Sequence, residues 1–252
     1  MLDITALKSV LVLPTYNEIG NLDSFIRAVR QYCPLIYILI VDDDSPDGTG
    51  KLAERLTAEL AALEVIHRVG ERGLGSAYRA GFANAATKDF DVVVTMDADF
   101  SHDPAVIPQF FSALQSGADM VIGSRYVKDG DIRGWPLHRK LLSRWGNAYT
   151  RWILQLDVHD CTSGFRAYTS NALAHINPSV EHGEGYVSLT ALIRRAQQHH
   201  LRIVEIPITY TNRVQGTSKM SWRIVLESTI LVTLLGVRDI FRRADTKSRR
   251  IT

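Results

Sequence analysis

Cysteine is almost missing from this chain. Cys33 and Cys161 are the only two in 252 residues, too few for a disulfide framework, and a reducing cytoplasm is the simplest context. Long apolar runs are missing as well: none reaches the roughly 20 residues that span a bilayer as a helix. Met1 to Ser9 contain Asp3 and Lys8 and lack an apolar centre, so no signal peptide is expected. Net charge is only +2, and no global field argues for a nucleic-acid partner. There is no internal repeat and no low-complexity linker. His67, His102, His159, His175, His199 and His200 show no metal-ligand spacing, and His102 reads as a plain turn residue. No Walker lysine pattern, no G-x-G-x-x-G after the first strand, no G-x-S-x-G elbow and no paired Cys-His are present. A P-loop, an ordinary dinucleotide site and nucleophile-elbow chemistry are therefore not indicated. What remains is ordinary globular composition, 46% hydrophobic and 22% charged, long enough for one large α/β domain.

The most informative stretch is residues 92–104. Val92-Val93-Val94-Thr95 reads as a buried parallel strand. Past its end come two carboxylates one residue apart, Asp97 and Asp99. Where a chain leaves a sheet, both can turn toward one point. Two hard oxygen donors there suit Mg²⁺ or Mn²⁺, which keep waters and take their other ligands from phosphate. The bland alternative is a solvated turn. Asp103 then caps a helix with Pro104 at its first position.

Strands are predicted over 9–13, 35–41, 64–67 and 119–123 in addition, with helices between them. Asn21 is expected to cap a helix that places Leu22, Phe25, Ile26 and Val29 on one face. Another runs from Pro104 to about Gln115. Regular alternation up to about residue 125 is the pattern of βαβ units and a parallel sheet. Polar clusters follow strands one, two, four and five. All are carboxyl ends, where open α/β sheets bind ligands.

After strand two, one of Asp42, Asp43 and Asp44 can accept from a ribose or a base edge; a solvated Asp-Gly turn is the alternative. Tyr16 either stacks on a base or packs. Gly73-x-Gly75 allows close backbone approach to a phosphate. Residues 131–151 interleave Arg133, His138, Arg139, Lys140, Arg144 and Arg151 with Trp135, Trp145 and Trp152. Arg139 and Ser143 lie four apart, on one helical face, and guanidinium plus hydroxyl suits a phosphate. The tryptophans suit a membrane interface. Single-stranded nucleic acid and a plain structural helix compete with that reading. Glu181 and Glu184 either border a pocket or solvate a loop. Arg213, Gly216, Ser218 and Lys219 form either a flap over a diphosphate or an exposed basic loop. Ile224 to Val237 is apolar with a basic end, either lying on an anionic leaflet, docking on a membrane partner, or closing the core.

In combination these motifs resemble the polyprenol-phosphate (dolichol-phosphate) mannosyltransferases, inverting GT-A enzymes of glycosyltransferase family 2. The residues are Pro14-Thr15-Tyr16-Asn17-Glu18, Val41-Asp42-Asp43-x-Ser45-x-Asp47-Gly48-Thr49, Gly73-Leu74-Gly75-Ser76-Ala77-Tyr78 and Met96-Asp97-Ala98-Asp99. To these add Gly123-Ser124-Arg125-Tyr126, Arg139-x-x-x-Ser143, Thr162-Ser163-Gly164-Phe165-Arg166 and Arg213-x-x-Gly216-x-Ser218-Lys219. The resemblance runs from about Val10 to Lys219. It implies an α/β, GT-A (Rossmann-like) fold, a mostly parallel sheet flanked by helices. It implies one catalytic domain over residues 1–220, followed by a membrane-interfacial helix and basic tail over 221–252.

By the same resemblance, Pro14, Tyr16, Glu18, Val41 and Asp43 hold the guanosine of GDP-mannose. Asp97 and Asp99 hold Mg²⁺ or Mn²⁺ against the diphosphate, with Ala98 touching the nucleotide. Ser101 stands where some relatives carry Gln and is the third candidate metal ligand. Arg125 lies between donor and acceptor phosphates, Arg139 and Ser143 bind the phosphate of a polyprenyl phosphate lipid, and Arg213 and Lys219 close over the donor. Asp99, Arg125 and Arg213 are the expected catalytic residues. Many relatives add transmembrane helices. Here contact with the membrane surface is expected from interfacial helices or a membrane-anchoring protein, peripheral on the cytoplasmic, inner face. Rival readings are transfer of glucose or another sugar, and a non-enzymatic nucleotide-binding, membrane-docking module.

Overall fold

Val10 to Leu13, Ile38 to Val41 and Val92 to Val94 are closed to solvent, and their side chains alternate between two cores. Leu11, Leu13, Ile38, Ile40, Val92 and Val94 face one; Val10, Val12, Leu39, Val41 and Val93 face the other. A period-2 pattern that is apolar at both phases requires cover on both faces of the sheet. The computed structural model describes residues 7–180, 185–212 and 228–238. Its strands are β1 (Ser9–Thr15), β2 (Tyr37–Asp42), β3 (Leu63–His67), β4 (Val92–Thr95), β5 (Met120–Ser124), β6 (Asp131–Ile132), β7 (Arg166–Thr169), β8 (Ile203–Pro207) and β9 (Thr209–Tyr210). The helices are α1 (Leu22–Tyr32), α2 (Thr49–Glu59), α3 (Leu74–Ala86), α4 (Ile107–Gln115), α5 (Leu137–Leu154), α6 (Ser170–Ile176) and α7 (Gly185–Gln198).

Seven strands form one sheet in the order β3-β2-β1-β4-β7-β5-β8, and β6 pairs with β9 beside it. All the sheet neighbours are parallel except β7, which runs antiparallel to both β4 and β5. The carboxyl ends of the other six strands therefore share one edge. The order reverses between β1 and β4, and at such a switch point a crevice opens outside the strand ends. The loops after β1 and β4 flank it. One close approach keeps the layers tight: a Cβ on Gly81 of α3 would lie 2.3 Å from Val12 Cγ1 of β1, so only glycine lets this helix sit there.

Helix α1 buries Leu22, Phe25, Ile26 and Val29, as its spacing predicts. Each such side chain contributes roughly 1.5–3 kcal/mol on burial. The expected Asn21 side-chain cap is not made. Asn21 has helical backbone angles, and its Nδ2 donates to Glu18 Oε2 at 2.9 Å instead; the Glu18 carbonyl accepts from the Asn21 and Leu22 amides. Asp103 does cap, accepting from the Ala105 amide at 2.9 Å. The helix it opens begins as a 3₁₀ turn, Pro104–Val106, and becomes α-helical only at Ile107.

Residues 228–238 are helical and lie against α5, where Tyr149 Oη and Thr233 Oγ1 are 2.7 Å apart. Val232 is buried in the same core as Leu154. Among the described residues, no helix is long and apolar enough to cross a membrane.

Candidate active site

The first wall of the crevice is the loop after β1 stitched to the loop after β2. The amides of Asn17, Glu18 and Ile19 donate to Ser45 Oγ (3.1 Å), Thr49 Oγ1 (2.9 Å) and Asp47 Oδ2 (3.1 Å). Asp47 also accepts from the Thr49 amide and hydroxyl. Partial burial raises its pKa, but these bonds lower it further, so the carboxyl titrates below its usual range. Asp42 accepts from Thr15 Oγ1 at 2.9 Å and Ser45 Oγ at 2.6 Å. Two of the acids in this cluster thus shape the loop rather than face a ligand. Pro14 and Val41, side by side in the β1–β2 register, form its floor.

Asp43 is buried. It accepts from Arg68 Nη1 at 2.7 Å and from the Gly73 amide at 2.9 Å. Arg68, buried beside it, also donates to Ser76 Oγ at 2.7 Å and to Glu71. Arg68 is a member of this wall that the motifs do not include; its one signal in sequence is that it follows β3, another carboxyl end. The Arg72 guanidinium lies 4.8 Å from the centre of the Tyr16 ring, and Glu18 is half-buried nearby in the chain.

Beyond β4, Tyr78 Oη donates to Asp97 Oδ1 at 3.4 Å. A Cβ on Gly164 would stand 3.1 Å from that hydroxyl, so glycine leaves room for Tyr78 Oη beside the carboxylate. Ala98 and Asp99 are buried, and Asp99 Oδ1 accepts from the Ser101 amide at 3.0 Å. Between them Phe100 adopts φ +58, a left-handed conformation that costs about 1–3 kcal/mol in a bulky residue. Thr211 holds it there: its hydroxyl donates to Phe100 O and its amide to Ser101 O, both at 3.1 Å. The Phe100 ring meets Phe25 edge-on at 5.2 Å.

Ser101 Oγ is buried without a hydrogen-bond partner. Two carboxylates and an unsatisfied hydroxyl form a hard oxygen donor set that fits a divalent cation. Among the described residues no three His, Cys, Asp or Glu gather to hold a metal, so phosphate oxygens and water would have to complete the shell.

His102 is not a plain turn residue. Its ring is buried against Phe165 (5.4 Å) and Tyr210 (5.2 Å). Burial pushes its pKa down to about 4, with Arg125 adding to the fall and Asp99 and Asp160 opposing it. It is neutral at pH 7, and Asp99, Arg125 and Asp160 all lie within electrostatic reach of this one ring.

Arg125, at the end of β5, is clamped by Asp160. Its Nε and Nη2 donate to the two carboxylate oxygens at 2.7 Å each, and its amide donates at 3.1 Å. Nη2 also donates to Thr162 Oγ1 at 2.6 Å. Burial raises the pKa of Asp160, but Arg125 and the surrounding bonds outweigh it and hold the carboxyl low. Glu205 of β8 fixes the loop by accepting from the amides of His159 (2.7 Å) and Asp160 (2.9 Å). The wholly buried Arg166 donates to the carbonyls of Ser163, Leu189 and Cys161. Only a strand inserted between β4 and β5 brings these late residues to the crevice.

Arg139 and Ser143 do share a face of α5. They line one cavity with Arg125, Asn147 and Thr162, walled on its apolar side by Leu142, Trp145, Tyr149, Val187 and Val232. Together with the solvent at its open mouth it encloses about 800 Å³. Tyr126 Oη donates to Ser143 Oγ at 2.6 Å. The three tryptophans separate: Trp145 and Trp152 are exposed, whereas Trp135 is buried. Trp135 therefore leaves the membrane-facing set, because the β6–α5 turn folds it inward against Tyr210. Arg213, Lys219, Glu181 and Glu184 lie outside the described residues.

The sheet and the acidic and basic groups along its edge define a glycosyltransferase of the GT-A type. Residues 10–176 match the description "Glycosyl transferase family 2". The chain is 42% identical over 238 residues to polyprenol monophosphomannose synthase of Mycolicibacterium smegmatis, covering 94% of this chain and 90% of that one. It is 41% identical to undecaprenyl-phosphate mannosyltransferase of Micrococcus luteus, covering 92% and 95%. It is 37% identical to dolichol-phosphate mannosyltransferase of Pyrococcus furiosus, covering 88% of this chain and 61% of that longer one. The chain belongs to glycosyl transferase family 2, among the polyprenol-phosphate mannosyltransferases.

Solved structures share the fold at low identity. Glucosyl-3-phosphoglycerate synthase of Mycobacterium tuberculosis, in complex with Mn²⁺, UDP and phosphoglyceric acid, superposes with a TM-score of 0.63 at 21% identity over 91% of this chain and 78% of that one. A mannosyltransferase of Pyrobaculum calidifontis in complex with GDP-Man and Mn²⁺ gives 0.61 at 14% over 93% and 66%.

Proposed function

We propose that this enzyme transfers mannose from GDP-mannose to a polyprenyl monophosphate, with inversion, giving β-D-mannosyl phosphoryl polyprenol. One observation carries the reading. A single sheet edge presents Asp97 and Asp99 beside a clamped Arg125, which opens into a cavity with Arg139 and Ser143 at its polar part and apolar walls beyond. Such a cavity matches a phosphate attached to a hydrocarbon. The names of the relatives support the sugar and the acceptor.

Pro14, Tyr16, Glu18, Val41 and Asp43 form the nucleoside wall in this proposal, with Arg68 orienting Asp43. Asp97 and Asp99 hold the metal, with Ser101 as a further ligand and Ala98 against the nucleotide. A bound Mg²⁺ or Mn²⁺ would neutralise the donor diphosphate and stabilise GDP as it leaves; the Mn²⁺ complexes of proteins with this fold support a divalent ion.

The acceptor phosphate monoester is ionised at neutral pH and is already a nucleophile, so no general base is required. Its oxygen bonds to the anomeric carbon on one face while the bond to the GDP oxygen breaks on the other, which inverts that carbon. Two anions must meet, and Coulomb repulsion opposes this. Arg125 lies between them and Arg139 faces the acceptor, with Arg213 and Lys219 supplying charge from the donor side.

We place the enzyme peripherally on the cytoplasmic face of a membrane, with residues 1–220 catalytic and 221–252 interfacial. Leu137, Leu141, Trp145 and Trp152 of α5 are exposed at helical spacing, as are Ile230, Leu234 and Val237 next to them. With the exposed Arg144 at their flank, they suit an anionic leaflet. The buried free thiols Cys33 and Cys161 suit a reducing compartment. The Trp145→Ser/Trp152→Ser double variant should sediment with phosphatidylglycerol vesicles several-fold less than wild type. Undiminished sedimentation would remove these helices from the interface.

The activity itself is tested by offering labelled GDP-mannose, UDP-glucose and other nucleotide sugars with a polyprenyl phosphate and counting chloroform-extractable label. Product from GDP-mannose that vanishes in excess EDTA is expected. Product only from another donor would overturn the sugar, and undiminished product from ion-stripped protein in EDTA would overturn the metal. No product from any donor would favour a binding module.

A further inference from the structure

Trp135 is 7% exposed, and its indole N–H is buried without a hydrogen-bond partner. A buried tryptophan N–H normally finds an acceptor. Leaving one unsatisfied is destabilising, and a phenylalanine or leucine at this position would avoid that penalty. The indole must therefore supply something they lack. The Arg139 guanidinium lies over this ring, 3.9 Å from its centre, and the Arg125 guanidinium lies 5.9 Å from the same point. Among aromatic faces indole attracts a cation most strongly.

Two features make the ring face effective in holding Arg139. This arginine stands in the first turn of α5, where the helix dipole is positive and disfavours a cation. Its long side chain also has many rotamers, and holding one of them has an entropic cost. The ring is itself held firmly. Its edge meets Tyr210 at 5.2 Å, and the segment before it is anchored by Asn212 Nδ2 donating to Gly134 O at 2.8 Å. The Arg139 amide donates to Pro136 O, so the turn that seats Trp135 also starts the helix that carries Arg139.

We infer that Trp135 is a positioning residue: its ring face fixes Arg139 beside Arg125 so that both guanidiniums meet one acceptor phosphate. This rests on the reading of the α5 cavity as the acceptor site. The ring lies outside the cavity lining and acts through Arg139 rather than on the lipid.

The test is direct binding of farnesyl phosphate to the full-length protein by calorimetry, with GDP and Mn²⁺ titrated separately. Trp135→Leu should raise the Kd for farnesyl phosphate roughly 3- to 30-fold, Trp135→Phe should fall between it and wild type, and the GDP affinity should not move. In an Arg139→Ala background, which by itself weakens farnesyl phosphate but not GDP, Trp135→Leu should add less than about twofold. Wild-type affinity in Trp135→Leu would overturn the inference. So would an equal loss in both backgrounds, or parallel loss of GDP binding, either of which marks the ring as support for the fold. If the leucine variant does not fold, Trp135→Phe in the two backgrounds decides by the same criteria. If the variants bind in this order yet wild-type protein transfers no mannose, the proposed activity falls and the positioning role stands.

Discussion

Asp99→Ala protein is expected to fold and to lose mannosyl transfer by roughly a thousandfold or more. The side chain is buried and accepts from the Ser101 amide. The turn it belongs to is held by other contacts. Thr211 pins Phe100 and Ser101, and the Phe100 ring is wedged against Phe25. Removing the carboxylate therefore leaves the left-handed turn in place but takes one of two anionic donors from the proposed metal site. A melting temperature within a few degrees of wild type, with no detectable labelled lipid, is the outcome to look for. Near-normal turnover by a folded Asp99→Ala protein would refute the metal role.

Asp160→Ala should act differently, through stability and catalysis together. Arg125 is 7% exposed and its guanidinium is bonded to both oxygens of a fully buried carboxylate. Removing that partner strips a buried cation of its carboxylate, which costs about 3–5 kcal/mol. Asp160 also accepts from the amides of Arg125, Thr162 and Ser163, so the loop from 160 to 163 loses its organiser. A fall in melting temperature of roughly 6–20 °C is expected, with transfer reduced even at temperatures where the variant is folded.

The pH dependence carries a sign. The folded pKa of Asp160 is depressed, so its contribution is present above the unfolded value near ~4 and is lost as pH falls through the folded value. Wild type should lose stability steeply below about pH 4, and the variant should show a shallower acid limb. Equal melting curves at pH 7 would show that the clamp is not needed.

Much of the candidate site is legible in the chain because each polar cluster sits where an apolar strand ends. Asp97, Asp99, Arg125 and the Tyr16–Glu18 turn can be placed on one edge from strand order alone, and the structure puts them there. The partners that set their geometry are not legible in this way. Arg68 reaches Asp43 from 25 residues away and Asp160 reaches Arg125 from 35. No local periodicity encodes such pairs. Trp135 is misassigned for the same reason. Its basic neighbours are compatible with a membrane surface, and only the fold of the β6–α5 turn shows that it is buried.

The sequence alone determined the alternation of strand and helix, the double-sided burial of the central strands, and which residue types crowd each strand end. These follow from hydrophobic period and from steric rules that act over a few residues. The tertiary structure decided what depends on contacts between distant segments. It inserted β7 antiparallel between β4 and β5, delivered Asp160 to Arg125, turned Asp42 and Asp47 into loop supports, and sorted the three tryptophans into one buried and two exposed. Those outcomes rest on packing and on the need to pair buried charge, and neither is written in any short stretch of the chain.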